Sequence, residues 1–229
     1  YKEGYTDIDK ILENGTKPLT PEDFEEIANE TNALILDVRH QDDFTKGHIP
    51  KSIFIGIDGD FAPWVGAMIG NVKQPILLVT PKGREKETIT RLSRVGFDQT
   101  LGYLNHGIEA WSKAGNAIDT IDGIKVTDLK ALKEQKVLNI FDVRKPGEYA
   151  SEHLDEAHST PLSFINDYMD KFPENEPFYL HCAGGYRSVI AASILKSRGI
   201  HNLIDVKRGF AAIKNEGMKI SEYICPSKL

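Results

Sequence analysis

The chain has little cysteine: two residues, Cys182 and Cys225, in 229. Two thiols do not make a disulfide framework, and a nucleophilic thiol is best kept in a reducing compartment, so a cytoplasmic location is expected. Long apolar runs are also lacking. None approaches the ~20 residues of a membrane span, and the start shows no basic segment followed by an apolar one, so neither secretion nor a membrane partner is expected. Basic tracts are missing as well. With a net charge of −6, a pI near 5.7 and no aromatic stacking platform, no nucleic-acid partner is expected, and any positive field for a small anion must be local.

What is present is ordinary globular composition, 40% hydrophobic and 27% charged, in a chain long enough for two domains. The chain repeats itself. Ala33-Leu34-Ile35-Leu36-Asp37-Val38-Arg39, then Phe44 and Gly47-His48-Ile49, recurs 105 residues later as Leu138-Asn139-Ile140-Phe141-Asp142-Val143-Arg144, then Tyr149 and His153-Leu154. Pro75-Ile76-Leu77-Leu78-Val79 matches Pro177-Phe178-Tyr179-Leu180-His181, and Gly107-Ile108 matches Gly209-Phe210. Each copy alternates short β-rich runs with helix-like stretches, such as a strand at 76–79 and a helix at 87–94. That alternation predicts two α/β units, each a mainly parallel sheet covered by helices on both faces. The polar, turn-rich stretch 119–123 places the boundary near 120. The expected organisation is a lead-in at 1–16, a first unit at 17–119 and a second at 120–229. The lead-in reads as a tail joining something upstream, as in a fragment of a longer polypeptide.

The run Cys182-Ala183-Gly184-Gly185-Tyr186-Arg187 sits where a strand should turn into a helix. There a thiol faces the positive end of a helix and free backbone N–H groups, which favour an anion, so Cys182 is expected to be reactive. Gly184 and Gly185 can take positive φ and let amides converge on one point, and Arg187 adds a permanent cation. Cys182 and Arg187 are the candidate catalytic residues, and Ala183, Gly184, Gly185, Tyr186 and Ser188 the candidate substrate-binding set. In the first copy Thr80 falls opposite Cys182 and Glu85 opposite Arg187. A hydroxyl without a base and a carboxylate in place of a cation predict a silent unit.

Asp-Val-Arg at a strand end, an aromatic five residues on, a nearby His, a Cys-x-x-Gly-x-Arg loop and a closing Gly-Phe segment together resemble the rhodanese (sulfurtransferase) family. The resemblance covers nearly all of residues 17–229. It implies that Cys182 attacks the sulfane sulfur of thiosulfate or a low-molecular-weight persulfide, carries it as a Cys-persulfide, and passes it to a thiol or cyanide-like acceptor. No cofactor is implied. Four residues separate Cys182 from Arg187, fewer than the Cys-x5-Arg cradle of related phosphatases, which favours sulfur over phosphate. Many thiosulfate-using relatives carry a basic residue after the cysteine. This chain has Ala183, so a persulfide such as glutathione persulfide is expected to be the better donor.

A silent unit followed by an active one, with the run Phe61-Ala62-Pro63-Trp64-Val65-Gly66, also resembles the C-terminal part of metallo-β-lactamase-fold/rhodanese fusions of the persulfide dioxygenase type. That likeness implies an upstream metal-binding domain as partner. No His-x-His-x-Asp-His motif occurs in these residues, so no metal is expected here. Asp142 and Arg144 recur in the silent copy as Asp37 and Arg39 and read as a structural pair near the site. His153 and His48 likewise read as structural, Cys225 as incidental, and His181 as directed away from the nucleophile. Trp64, Trp111 and Phe210 read as core or loop-packing aromatics, with a domain interface as the alternative for the apolar segment Phe61–Trp64.

Overall fold

A computed structural model of the chain describes residues 7–225. The chain divides into two compact units, Tyr1–Thr120 and Ile121–Leu229. The first contains strands β1 (Pro18–Leu19), β2 (Leu34–Asp37), β3 (Ile53–Phe54), β4 (Ile76–Val79) and β5 (Thr100–Leu104), in the order β1-β5-β4-β2-β3. The second contains β6 (Gly123–Ile124), β7 (Ile140–Asp142), β8 (His158–Ser159), β9 (Phe178–His181) and β10 (Leu203–Val206), in the order β6-β10-β9-β7-β8. Every pairing between these ten strands is parallel, and helices flank each sheet, as the alternation in the sequence predicts.

The central strands are apolar because they are buried on both faces: all four residues of β4 and all four of β9 are buried. In the first unit Phe24, Leu77, Val79, Leu104 and Trp111 share one core cluster, and Phe24 meets Trp111 edge to face at 5.9 Å. In the second, Leu129, Ile140, Tyr179, Val206 and Ile213 pack together. The helix Tyr186–Ser197 buries every residue from Ser188 to Leu195, the pattern of a helix enclosed on all sides. Helix starts follow local chemistry. Thr20 Oγ1 accepts the amide of Asp23 ahead of Pro21 at the first helical position, and the Glu148 carboxylate reaches back to the Lys145 amide behind Pro146.

From β7 the chain moves outward to β8, and from β9 it moves the other way to β10, so the strand order reverses between β7 and β9. The crevice beyond the carboxyl ends of two such strands is where open α/β sheets bind ligands. Asp142 and His181 end those strands side by side, and Cys182 follows directly. Among the described residues no helix is long and apolar enough to cross a membrane.

Candidate active site

Cys182 leaves the central strand β9 and its side chain is almost fully enclosed, at 1% exposure. The Gly185 amide donates to Sγ at 3.1 Å. That geometry needs Gly185 at φ 107°, a conformation open to glycine and strained for other residues. Sγ also donates to Ser188 Oγ at 3.6 Å, and Ser188 Oγ donates to Asp205 Oδ1 at 2.7 Å. Ala183 is half-buried and Gly184 exposed, which leaves the mouth of the loop free of bulk, while Tyr186 opens the helix.

The loop is strapped from behind. The Phe210 amide donates to the Cys182 carbonyl at 2.7 Å and the Ala211 amide to the Ala183 carbonyl at 3.1 Å. Gly209 makes this approach possible: at φ 53°, a Cβ there would lie 2.2 Å from the Cys182 carbonyl oxygen.

Arg187 has a partner that spacing did not reveal. Its Nη1 and Nη2 donate to Glu148 Oε2 and Oε1 at 2.5 and 2.9 Å, a bidentate pair. The pair holds the Glu148 carboxyl below the ordinary range, chiefly through the Arg187 hydrogen bond, and raises the Arg187 guanidinium for the same reason. Arg187 still sends its positive field toward Cys182, with two of its five N–H donors committed to the Glu148 carboxylate.

Asp142 and Arg144 are both buried, with Nε at 3.0 and 2.9 Å from the two carboxylate oxygens and Nη2 at 2.6 Å from Oδ2. Arg144 also donates to the Glu152 carbonyl at 2.8 Å and lies 3.8 Å over the Phe210 ring. Asp37 and Arg39 reproduce the geometry, with Nη2 at 2.6 Å from Oδ2 and 2.8 Å from the Gly47 carbonyl. One arrangement in both units braces a strand end. His153 stacks on Tyr149 at 3.9 Å with Nδ1 2.8 Å from the Tyr149 carbonyl, and His48 does the same with Phe44 at 3.9 and 2.9 Å. His181 is fully buried, with Nδ1 3.3 Å from the Cys182 carbonyl and Nε2 3.9 Å from Asp142 Oδ2. Burial pushes its imidazolium down, against the pull of Asp142. Cys225 is exposed and outside any disulfide, and among the described residues no group of three or more His, Cys, Asp or Glu could hold a metal ion.

The first unit's loop differs in one detail from the sequence overlay. Strands match at an offset of 102, but the bonds that close the helices, Phe97 amide to Leu92 carbonyl and Ile200 amide to Leu195 carbonyl, match at 103. The loop is one residue shorter, and counted back from the helix end Arg84, not Glu85, stands opposite Arg187. The Arg84 guanidinium is held by Asp58 at 2.6 Å and Glu87 at 2.9 Å. The Glu85 carboxylate instead turns into the loop and accepts the Gly83 amide at 3.0 Å.

The family model for rhodanese-like domains matches this chain twice, over residues 20–114 and 125–216. The chain belongs to the rhodanese-like domain family. Over 90 residues the chain is 33% identical to an uncharacterized protein of Synechocystis, a stretch that covers 39% of this chain and 50% of that protein. A sulfurtransferase of Allochromatium vinosum is 25% identical over 103 residues, 45% of this chain and 94% of the relative. Among solved structures, a rhodanese-like domain protein from Staphylococcus aureus is 34% identical, covering 44% of this chain and all of that one, with a TM-score of 0.41. The chain thus spans about half the length of the Synechocystis protein it matches.

Two residues of this site escaped sequence reasoning. Glu148 gave no signal, because nothing in its spacing points to Arg187. Asp205 left a faint one, a single carboxylate inside the β-rich run Leu203-Ile204-Asp205-Val206.

Proposed function

We propose that this chain is a sulfurtransferase of sulfide and persulfide metabolism in which Cys182 of the second unit is nucleophile and sulfur carrier. The Sγ lone pair attacks the outer sulfur of thiosulfate or a low-molecular-weight persulfide such as glutathione persulfide. The donor's S–S bond breaks, sulfite or a thiolate leaves with the electron pair, and Cys182 retains the sulfane sulfur as a persulfide. A thiol or cyanide-like acceptor then takes that sulfur and regenerates Sγ. The observation that carries this reading is the Gly185 amide aimed at Sγ from 3.1 Å, in a loop opening a twelve-residue helix within a rhodanese-like domain. Ala183, Gly184 and Tyr186 would line the space for the outer sulfur, and Arg187 would supply positive field. The similar protein of Allochromatium vinosum is named a sulfurtransferase, which supports the class of reaction.

A second reading is favoured by the enclosure of Cys182 and by the commitment of Arg187 to Glu148. Both would slow reaction with free anions and suit a relay module that receives sulfur from a partner, for which an upstream metallo-β-lactamase-fold domain of a cytoplasmic fusion is our candidate.

Intact-mass spectrometry after incubation with thiosulfate, and separately with glutathione persulfide, tests the proposal. One added sulfur, removable by cyanide or a thiol and absent from Cys182→Ser, is the expected result. A Cys182→Ser protein that still transfers sulfur sinks the assignment, and loading only in the presence of the upstream domain selects the relay.

A further inference from the structure

A buried carboxylate that the transfer chemistry leaves unused lies behind the nucleophile. Asp205 is 2% exposed and ends a continuous polar line: Cys182 Sγ to Ser188 Oγ at 3.6 Å, Ser188 Oγ to Asp205 Oδ1 at 2.7 Å, and Asp205 Oδ2 to Lys207 Nζ at 3.5 Å. Ser188 is 0% exposed, while the Lys207 side chain is 39% exposed, so the line runs from the enclosed sulfur to the surface. Ser188 has one hydroxyl proton and two acceptors in reach, Asp205 Oδ1 at 2.7 Å and the Gly185 carbonyl at 3.1 Å. With that proton directed to the nearer, charged carboxylate, its oxygen presents a lone pair to the thiol.

We infer that Ser188 and Asp205 carry the Cys182 thiol proton away from the sulfur during attack; the inference rests on Cys182 being the sulfur-accepting nucleophile. The S–H proton passes to Ser188 Oγ as the Ser188 proton passes to Asp205 Oδ1. The Sγ lone pair then forms the new S–S bond, the donor's S–S bond breaks, and sulfite or a thiolate leaves with that pair. Ser188 now donates toward the sulfur, beside the Gly185 amide. When the acceptor removes the outer sulfur, Sγ is left as thiolate and the proton returns from Asp205 by the same route, so atoms and charge balance over the cycle. Ser188 touches the reacting atom, whereas Asp205 is a positioning residue acting through it. The charged and titratable groups around this line are Lys207 in the turn directly after strand β10, Arg187 with its partner Glu148, and Asp142, Arg144 and His181 at and beside the ends of strands β7 and β9.

The test compares full-length wild type with Ser188→Ala, Asp205→Asn, the double variant and Ser188→Thr. Two rates are followed from pH 5.5 to 9: sulfur loading from thiosulfate, by rapid-quench mass spectrometry, and alkylation of Cys182 by iodoacetamide. At pH 6 the two single variants are expected to load and alkylate about a hundredfold slower than wild type, the usual scale of general-base assistance. Their rates rise with hydroxide and approach wild type at pH 9, the double variant is no slower than either single one, and Ser188→Thr restores the wild-type profile. Profiles parallel to wild type, losses independent of pH, or additive losses in the double variant overturn the inference. Alkylation needs no sulfur chemistry. Altered alkylation profiles in a wild type that takes up no sulfur therefore uphold the proton route and overturn the sulfurtransferase reading.

Discussion

The Glu85 carboxylate accepts the Gly83 amide at 3.0 Å, in the loop position where the second unit's Gly185 amide meets Cys182 Sγ at 3.1 Å. Both glycines have positive φ, 83° and 107°, so the two loops share the backbone turn that aims an amide inward. In the first unit the chain supplies its own anion to that amide. Thr80, at the position of the cysteine, donates to the same carboxylate oxygen at 3.4 Å.

Restoring a thiol alone therefore does not revive the first unit. In a Cys182→Ser background, Thr80→Cys acquires no sulfur from glutathione persulfide, whereas Thr80→Cys with Glu85→Gln acquires one, as read by intact mass. Equal loading of the two proteins would show that Glu85 does not block the loop.

Gly209→Ala places a methyl group 2.2 Å from the Cys182 carbonyl oxygen at a φ of 53°. Strain and overpacking together cost about 3 kcal/mol or more, and the displaced loop loses most sulfur uptake. Gly107→Ala is the control: its φ is 60° but nothing lies within 4 Å of the new Cβ, so the cost is about 1 kcal/mol. Urea denaturation of both variants reads the difference, and equal costs would remove the close approach as the reason for glycine.

Glu148→Gln breaks the bidentate pair with Arg187. The Glu148 side chain is 35% exposed, so solvent screens the interaction and the expected loss is only about 1 kcal/mol at neutral pH. Because its carboxyl is held below the ordinary value of 4.5, its contribution is complete above pH 4.5 and fades as the pH falls through the folded value. Denaturation midpoints of wild type and variant should converge in acid, and a gap that widens there contradicts the assignment.

His181 sets a second dependence on pH. Burial holds its imidazolium below the ordinary 6.5, so the unfolded chain takes up this proton first. The stability of the neutral ring is complete above pH 6.5 and is lost, at about 1.4 kcal/mol per pH unit, as the pH drops from there toward the folded value. His181→Phe should lose less stability than wild type between pH 7.5 and 5.5, and equal losses would assign the pH dependence elsewhere.

By itself the sequence determined the two α/β units, their mainly parallel sheets and the loop with its cysteine, glycines and arginine. These are local properties, since apolar runs such as Phe178-Tyr179-Leu180 read as central strands and a Cys-x-x-Gly-x-Arg stretch between strand and helix carries its own turn chemistry. The recurrence of Asp37 with Arg39 and Asp142 with Arg144 was legible too, because each pair is two residues apart and makes the same hydrogen bonds. The tertiary structure alone decided the partners of the reactive groups. Glu148 reaches Arg187 across 39 residues and Asp205 reaches Ser188 across 17, because the chain places the helix Pro146–Ser151 and strand β10 beside the helix that follows Cys182. The turn of Glu85 onto Gly83 was likewise hidden, although the two are neighbours. A carboxylate near an empty amide can face solvent or the loop, and only the folded backbone, with Gly83 at positive φ, brings that amide within its reach.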